Sequence, residues 1–356
     1  MRKRSGAIFA VFFTAAIAVI FVYFWPYLST ENIWPLSAVT SAVKQAQQSA
    51  AEREASSGAV SQASALVKSD SALGDEWGES GLNGIKVYQY GKTLLRSDEE
   101  KAVYDKIAAA VRGDVETLAF DSSLEPAAMK RIYKYFAGDH AEAFYLSGAE
   151  INYSYKNSGG KKIYIGSKFK FSYRYTKAER DKMRAAIDEK ALRLIAAANG
   201  KTDEAAKERA VHDALVGSVK YQQQAVGNPD KYPESFTVYG AVCGGSAVCD
   251  GYARAMKLLL DGCGIKSLYV TGTVTDLDGG GPHAWNIVNV SGRWYYVDAT
   301  FDDPTFVDAG GSSIDKNIVD HSFFNFTTDS YHILSKFDSA DPFASASGNY
   351  ETMPAV

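Results

Sequence analysis

The sequence predicts an α+β fold, and three observations carry that prediction. Helix and strand signals come in blocks, not in the alternation that builds a parallel sheet. An apolar helical run from Cys249 to about Asp261 is followed by three strand-like runs, "KSLYVTGTV", "HAWNIVNV" and "RWYYVDAT", with no helix between them. Upstream, two tyrosine-rich, partly alternating runs flank "KNSGG", the pattern of an antiparallel hairpin.

The elements follow in chain order. Arg2, Lys3 and Arg4 precede an uncharged run, Ala7 to Trp25. As a helix that run spans about 28 Å, close to a bilayer core. The basic cluster should stay cytoplasmic, with Tyr23, Trp25 and Tyr27 at the far interface. Residues 1–27 therefore read as a single-pass membrane anchor with the remainder extracytoplasmic, the alternative being a cleaved signal peptide and a secreted protein. From residue 28 to 84 the chain is rich in Ala, Ser, Gln and Glu, a composition that cannot bury enough apolar surface to fold, and it reads as a disordered stalk.

Aromatic residues return at "IKVYQY" and open a smaller α+β region over 85–200. Ser97 with Glu100 forms a capping box before "KAVYDKIAAAVRG", a helix, and "PAAMKRIYKYF" reads as a second. The hairpin follows. Thr176 with Glu179 caps a helix that runs to about Ala198 and stops at Asn199-Gly200. A further helix is expected near Asp203 to Val219, inside a second domain over 201–356 that includes a C-terminal extension.

Net charge and pI, −4 and about 5.8, exclude an electrostatic footprint for nucleic acid. Candidate chemistry lies instead in the C-terminal half. Cys249, Tyr252, Met256, Leu259, Leu260 and Cys263 share one helical stripe, so Cys249 begins a buried face. A thiol there sits among unpaired backbone N–H groups at the positive end of the helix dipole, where a thiolate or an oxyanion is stabilised. If Ser291-Gly292 is a two-residue turn, Val290 opposes Arg293 and Trp285 opposes Asp298. His283 and Asp298 then project from the same face, one diagonal step apart, as a general base and its orienting carboxylate would.

These residues carry a resemblance. "AVCDGYARAMKLLLDGCGI" and "GPHAWNIVNVSGRWYYVDATFDDP" closely resemble the transglutaminase-like superfamily, in particular its bacterial membrane-anchored or secreted members. The resemblance implies a papain-like core, with the cysteine-bearing helix packed on an antiparallel sheet. It implies Cys249 as nucleophile, His283 as base and acid, and Asp298 as the residue that orients His283. The chemistry would be attack on a peptide or isopeptide amide, through an acyl-thioester, with release to water favoured over release to an amine. A non-catalytic cell-envelope module on the same fold is the other reading. Partners would be a polypeptide or cell-wall peptide, with the membrane held by the N-terminal helix. Tyr239 is a candidate for the upstream residue that assists the oxyanion, and Trp285 a candidate for the cleft wall. Asp250 stands where cross-linking relatives typically place Trp, and Phe301 where Trp often precedes Asp-Asp-Pro.

No cofactor and no metal site are expected. "TDLDGGG" (275–281) lacks calcium-loop spacing and reads as a loop rimming the cleft, while His212 and His332 have no matching ligand spacing. Cys243 reads as packing or as a partner of Cys263, although the helix length opposes that bridge.

Overall fold

The computed structural model describes residues 73–82, 84–274, 281–303, 319–327 and 349–356. The expected anchor, nearly all of the expected stalk, most of the 275–281 loop and His332 lie outside them. Among the described residues no helix is long and apolar enough to cross a membrane.

Folding begins earlier than composition suggests. β1 (Trp77–Glu79) pairs antiparallel with β2 (Lys86–Tyr88), so the segment assigned to the stalk contributes a strand at its end. Trp77 packs on Tyr88 with ring centroids 5.4 Å apart, and that contact anchors the strand. A short helix, α1 (Tyr90–Thr93), leads to α2 (Asp98–Arg112). The Ser97 side chain accepts from Glu100 N as expected, but Glu100 reaches back to Arg96 N rather than to Ser97, and it also pairs with Arg131. β3 (Thr117–Phe120) and α3 (Pro126–Asp139) follow.

The hairpin is long: β4 (Leu146–Ser158) and β5 (Lys161–Tyr173) turn at Gly159-Gly160, both at positive φ. β3 joins the far side of β5, giving the antiparallel order β3-β5-β4. α4 (Lys177–Ile195) opens with the full Thr176/Glu179 capping box, and α5 (Glu204–Ser218) is capped by Asp203. The stretch expected as loop before Cys249 holds β6 (Lys220–Tyr221), α6 (Gln223–Gly227), 3-10 and π turns, and β7 (Ser246–Ala247), which pairs in parallel with β6.

α7 (Cys249–Gly262) is the central helix; apart from Cys249 and Arg254 all its residues are buried. It packs against the antiparallel sheet β10-β9-β8, formed by β8 (Ser267–Val274), β9 (Gly281–Val290) and β10 (Arg293–Val297). This is the expected α+β order, helix first and antiparallel strands after. The helix carries a buried cation whose placement is fully satisfied: Lys257 Nζ donates to Asp261, to Tyr88 O and to Ser267 O, tying α7 to β2 and β8. Burial pushes the Asp261 carboxyl up to about 7 despite that lysine.

One apolar core runs across the expected boundary at 200/201, joining Tyr104, Phe136 and Phe169 to Leu192, Leu259 and Val288. The C-terminal residues reinforce the junction. Tyr350 donates to Asp139 (3.0 Å), which also accepts from Tyr104 and Gly91 N, and Asn349 Nδ2 donates to Tyr269 O of β8 (2.7 Å).

Gly251, in the first turn of α7, is a close-approach position: a Cβ there would lie 2.6 Å from Ser235 O and 2.8 Å from the Ala247 Cβ. Those contacts are mainly backbone and cannot swing aside. Gly251→Ala is expected to destabilise the fold by about 1–3 kcal/mol, the usual cost of overpacking, measured by urea unfolding; an unchanged midpoint would show that the helix start is not held this tightly.

Candidate active site

The β9–β10 hairpin fixes two of the three candidate residues. Its register pairs Val290 with Arg293 and continues to Asn286 with Val297, as the two-residue turn requires. Ser291 and Gly292 both have positive φ (53° and 85°), the geometry that matches strand twist in such turns. Past the last paired residue, Asp298 Oδ2 meets His283 Nε2 at 2.6 Å, and both side chains are buried. The other carboxylate oxygen, Asp298 Oδ1, accepts from the backbone N–H groups of Thr300 (3.0 Å) and Phe301 (3.2 Å). With Nε2 committed to Asp298, Nδ1 is the ring nitrogen left for the thiol, and Cys249 is near enough to bear on the His283 proton.

The imidazole plane is held from its faces. Phe301 stacks on it at 4.5 Å between centroids and 9° between planes, and Trp285 lies 6.0 Å away at 19°. Phe301 thus supplies the aromatic face at the position where relatives often have Trp. Burial alone would drive the imidazolium toward its neutral form, but the Asp298 carboxylate and the adjacent Cys249 reverse this and raise the pKa of His283 to about 10.

Cys249 is the first residue of α7, preceded by Val248 in extended conformation with no side chain capping the helix. It packs against Ala253, Tyr269 and Ala284 and stays partly exposed. Asn286 docks the helix on the sheet, its Nδ2 donating to Ala253 O of α7 (2.9 Å) and Leu268 O of β8 (3.1 Å). That link ties the cysteine-bearing helix to the histidine-bearing strand. The residue after Cys249, Asp250, is a buried carboxylate held by Arg254 and by the Tyr269 hydroxyl. All three cysteines are free, and burial pushes the Cys243 thiol up to about 12, a poor nucleophile.

The structure does not bring Tyr239 to this group. Its ring stacks on Phe144 at 6.0 Å, and the charges that bear on its hydroxyl are Cys243 and Glu234. A second tyrosine near the thiol, besides Tyr269, is Tyr221, placed by the parallel pairing of β6 with β7, where it sits opposite Ala247, two residues before Cys249. Burial, then the proximity of Cys249 and Asp298, raises its pKa. Two further carboxylates that read as ordinary strand-end acids are wholly buried: Asp303 accepts from Tyr252 of α7, and Asp302 faces His212 of α5 at 3.1 Å and accepts from Phe323 N.

Folding tightens the proton on His283 relative to an ordinary histidine near pH 6.5, so that contribution to stability is complete below about pH 6.5 and is lost as pH rises through about 10. Asp298→Asn removes the main attraction and should flatten this alkaline loss. Urea-unfolding free energies across that range should converge for wild type and variant as pH rises; parallel curves would show that the carboxylate does not hold the proton.

Residues 193–299 match the model of the transglutaminase-like superfamily, and that span contains Cys249, His283 and Asp298. Members of this superfamily are typically cysteine enzymes. Two solved structures are similar in part: a TGase, at 16% identity and a TM-score of 0.31 over 66% of this chain and 61% of that one, and a protein provisionally assigned as a cysteine protease from Cytophaga hutchinsonii, at 15% identity and a TM-score of 0.26 over 44% and 65%. The chain spans less than two thirds of the length of either. No curated protein matches the sequence.

Proposed function

We propose, from a transglutaminase-like domain over residues 193–299, that this protein is a thiol enzyme that cleaves peptide or isopeptide amides on the outer side of a membrane. The single observation behind this reading is the 2.6 Å contact between His283 and the buried Asp298, with Cys249 close enough to bear on the same imidazole. The extracytoplasmic placement rests on the basic cluster and the apolar run Ala7 to Trp25.

The residues support a balanced sequence of steps. With the proton already held on His283 Nδ1, the Cys249 sulfur forms a bond to the amide carbonyl carbon, and the carbonyl electron pair moves to oxygen. The uncapped backbone N–H groups at the start of α7 and the Tyr221 hydroxyl would stabilise that oxyanion. On collapse, the C–N bond breaks and the amine leaves with the proton from His283, giving a thioester. Water, deprotonated by His283, then attacks the thioester and releases the acid and the thiol. Asp298 stays ionised throughout and keeps the imidazole oriented.

Hydrolysis is favoured over amine transfer because Asp250, not an aromatic residue, follows the nucleophile, and its carboxylate is bound internally by Arg254 and Tyr269. Cys249→Ala is expected to abolish both amide turnover and alkylation of this site at mildly acid pH; retained turnover in that variant would overturn the assignment. Wild-type protein that alkylates no faster than free cysteine would favour a binding module instead. Incubation with a primary-amine donor separates the two chemistries: product lacking the amine by mass spectrometry is expected, and stoichiometric incorporation would make the protein a transamidase.

Tyr221→Phe should lower kcat by about 10–100-fold with little change in KM, short of the ~10²–10³ typical of a principal oxyanion donor because the helix amides remain. An unaltered kcat would return Tyr221 to a packing role.

A further inference from the structure

Reached through Asp302 of the turn after Asp298 lies a cluster that the proposed reaction does not use. His212 of α5 is fully buried, and its Nδ1 lies 3.1 Å from Asp213 Oδ1. His321, far along the chain, brings Nε2 to 2.7 Å from the same oxygen. One carboxylate oxygen is thus shared by two imidazoles whose ring centroids are 5.6 Å apart, and one donor atom from each residue falls within 4.8 Å of the others. His321 has no spacing relation to His212 in sequence, and the expectation of no metal site considered His212 and His332 but not His321.

A second, independent observation concerns what surrounds the cluster. His212 Nε2 and Asp302 Oδ2, both on wholly buried side chains, stand 3.1 Å apart yet outside hydrogen-bond geometry. Glu208, one turn back on α5 and also wholly buried, has Oε2 bonded to Asn325 (2.7 Å) while Oε1 has no hydrogen-bond partner. Asp213, Asp302 and Glu208 therefore place three carboxylates around two imidazoles. Arg209 is the adjacent cation, near Asp213 Oδ2 (3.9 Å) and His321 Nδ1 (3.4 Å), on a side chain 58% exposed that is free to turn outward.

We propose that His212 Nδ1, Asp213 Oδ1 and His321 Nε2 bind one zinc ion, with water in the fourth position and Asp302 as the outer carboxylate on His212. Bonds of about 2.0–2.1 Å around a tetrahedral ion set ligand atoms roughly 3.4 Å apart, so the carboxylate oxygen would retreat by about 0.3 Å from His212 Nδ1 and by about 0.7 Å from His321 Nε2, with the two nitrogens, now within 4.8 Å, adjusting to the same spacing. A carboxylate on the far nitrogen of a ligating histidine is the arrangement that fixes its tautomer and raises its basicity. The exposed sides of Asp213 and His321 provide the entry path. Two nitrogens and one carboxylate oxygen favour zinc over calcium or magnesium, which take oxygen ligands.

The site would clamp residues 319–327 to α5. That segment carries the Phe323 carbonyl that accepts from Asp298 N (2.9 Å) and the Phe323 N–H bonded to Asp302, so the ion would stiffen the backbone holding the orienting carboxylate. The inference stands apart from the proposed amide chemistry, since its readout is metal binding.

The test uses the full chain carrying Cys249→Ala, so that the thiol does not compete, stripped with a chelator and titrated with Zn²⁺ by calorimetry. One saturable equivalent is expected, with Co²⁺ giving the visible absorption of a four-coordinate nitrogen/oxygen site. His321→Ala and Asp213→Asn should each weaken binding by at least 10-fold and remove the zinc-dependent rise in Tm, and Asp302→Asn should weaken it by about 10–100-fold. Arg209→Gln should bind as tightly or more tightly, because a cation leaves the site. Absence of saturable binding, or affinity unchanged in His321→Ala, would overturn the proposal, as would weaker binding in Arg209→Gln.

Discussion

The 2.6 Å contact between His283 and Asp298 is the constraint on which the rest of the arrangement depends. Both groups are buried, and an isolated charge there would cost several kcal/mol. The carboxylate is tolerable because both its oxygens are engaged, one by His283 and the other by two backbone amides. Those amides belong to Thr300 and Phe301, so the chain must turn sharply just after β10, and that turn lays Phe301 flat on the imidazole. One carboxylate thereby fixes the histidine's tautomer, its ring plane and the path of the following loop.

The same loop contains Asp302 and Asp303, and each is assigned a separate partner. Asp303 is bound by Tyr252 on α7, and Asp302 faces His212 on α5. Three acids within six residues thus reach three different elements: the strand with the histidine, the helix with the cysteine, and the helix behind both. Asn286 closes the circuit by tying α7 to β8 from within β9. A displacement of the cysteine relative to the histidine would have to break several buried polar contacts together.

Much of this was legible in the sequence because it rests on local periodicity. The two-residue turn at Ser291-Gly292 fixes a parity, and parity alone puts His283 and Asp298 on one face; the helical stripe starting at Cys249 needs only the 3.6-residue period. What was not legible depends on pairing over distance. Tyr221 lies in a strand of two residues, too short to show alternation, and reaches Cys249 only through parallel pairing with Ser246–Ala247. Tyr239 is nearer in sequence, but its π-turn neighbourhood directs it to Phe144. His321 sits in "VDHSFFNF", whose aromatic residues suggest burial but give no partner for the histidine. Trp77 follows an Ala/Ser-rich tract, and a window average hides the one aromatic contact that starts the fold.

The density of buried charge around Asp298 also bears on why it is there. Replacing a buried ion pair by well-packed apolar residues is often neutral or stabilising by about 1–4 kcal/mol, whereas removing one partner costs about 3–5. A loop with three buried acids is therefore a poor route to stability and an effective route to a single geometry, because any alternative packing leaves a charge unpaired. Lys257 and Asp261 at the other end of α7 follow the same logic, with every lysine proton directed to a fixed acceptor on β2, β8 or the helix itself. Both ends of the central helix are thus located by directional bonds, while its middle is packed by Met256, Leu258, Leu259 and Leu260, which fill space without specifying rotation. Cys249 begins the first turn of that helix with its side chain not wholly enclosed, which fits the proposed role of a nucleophile held in place but open to a substrate.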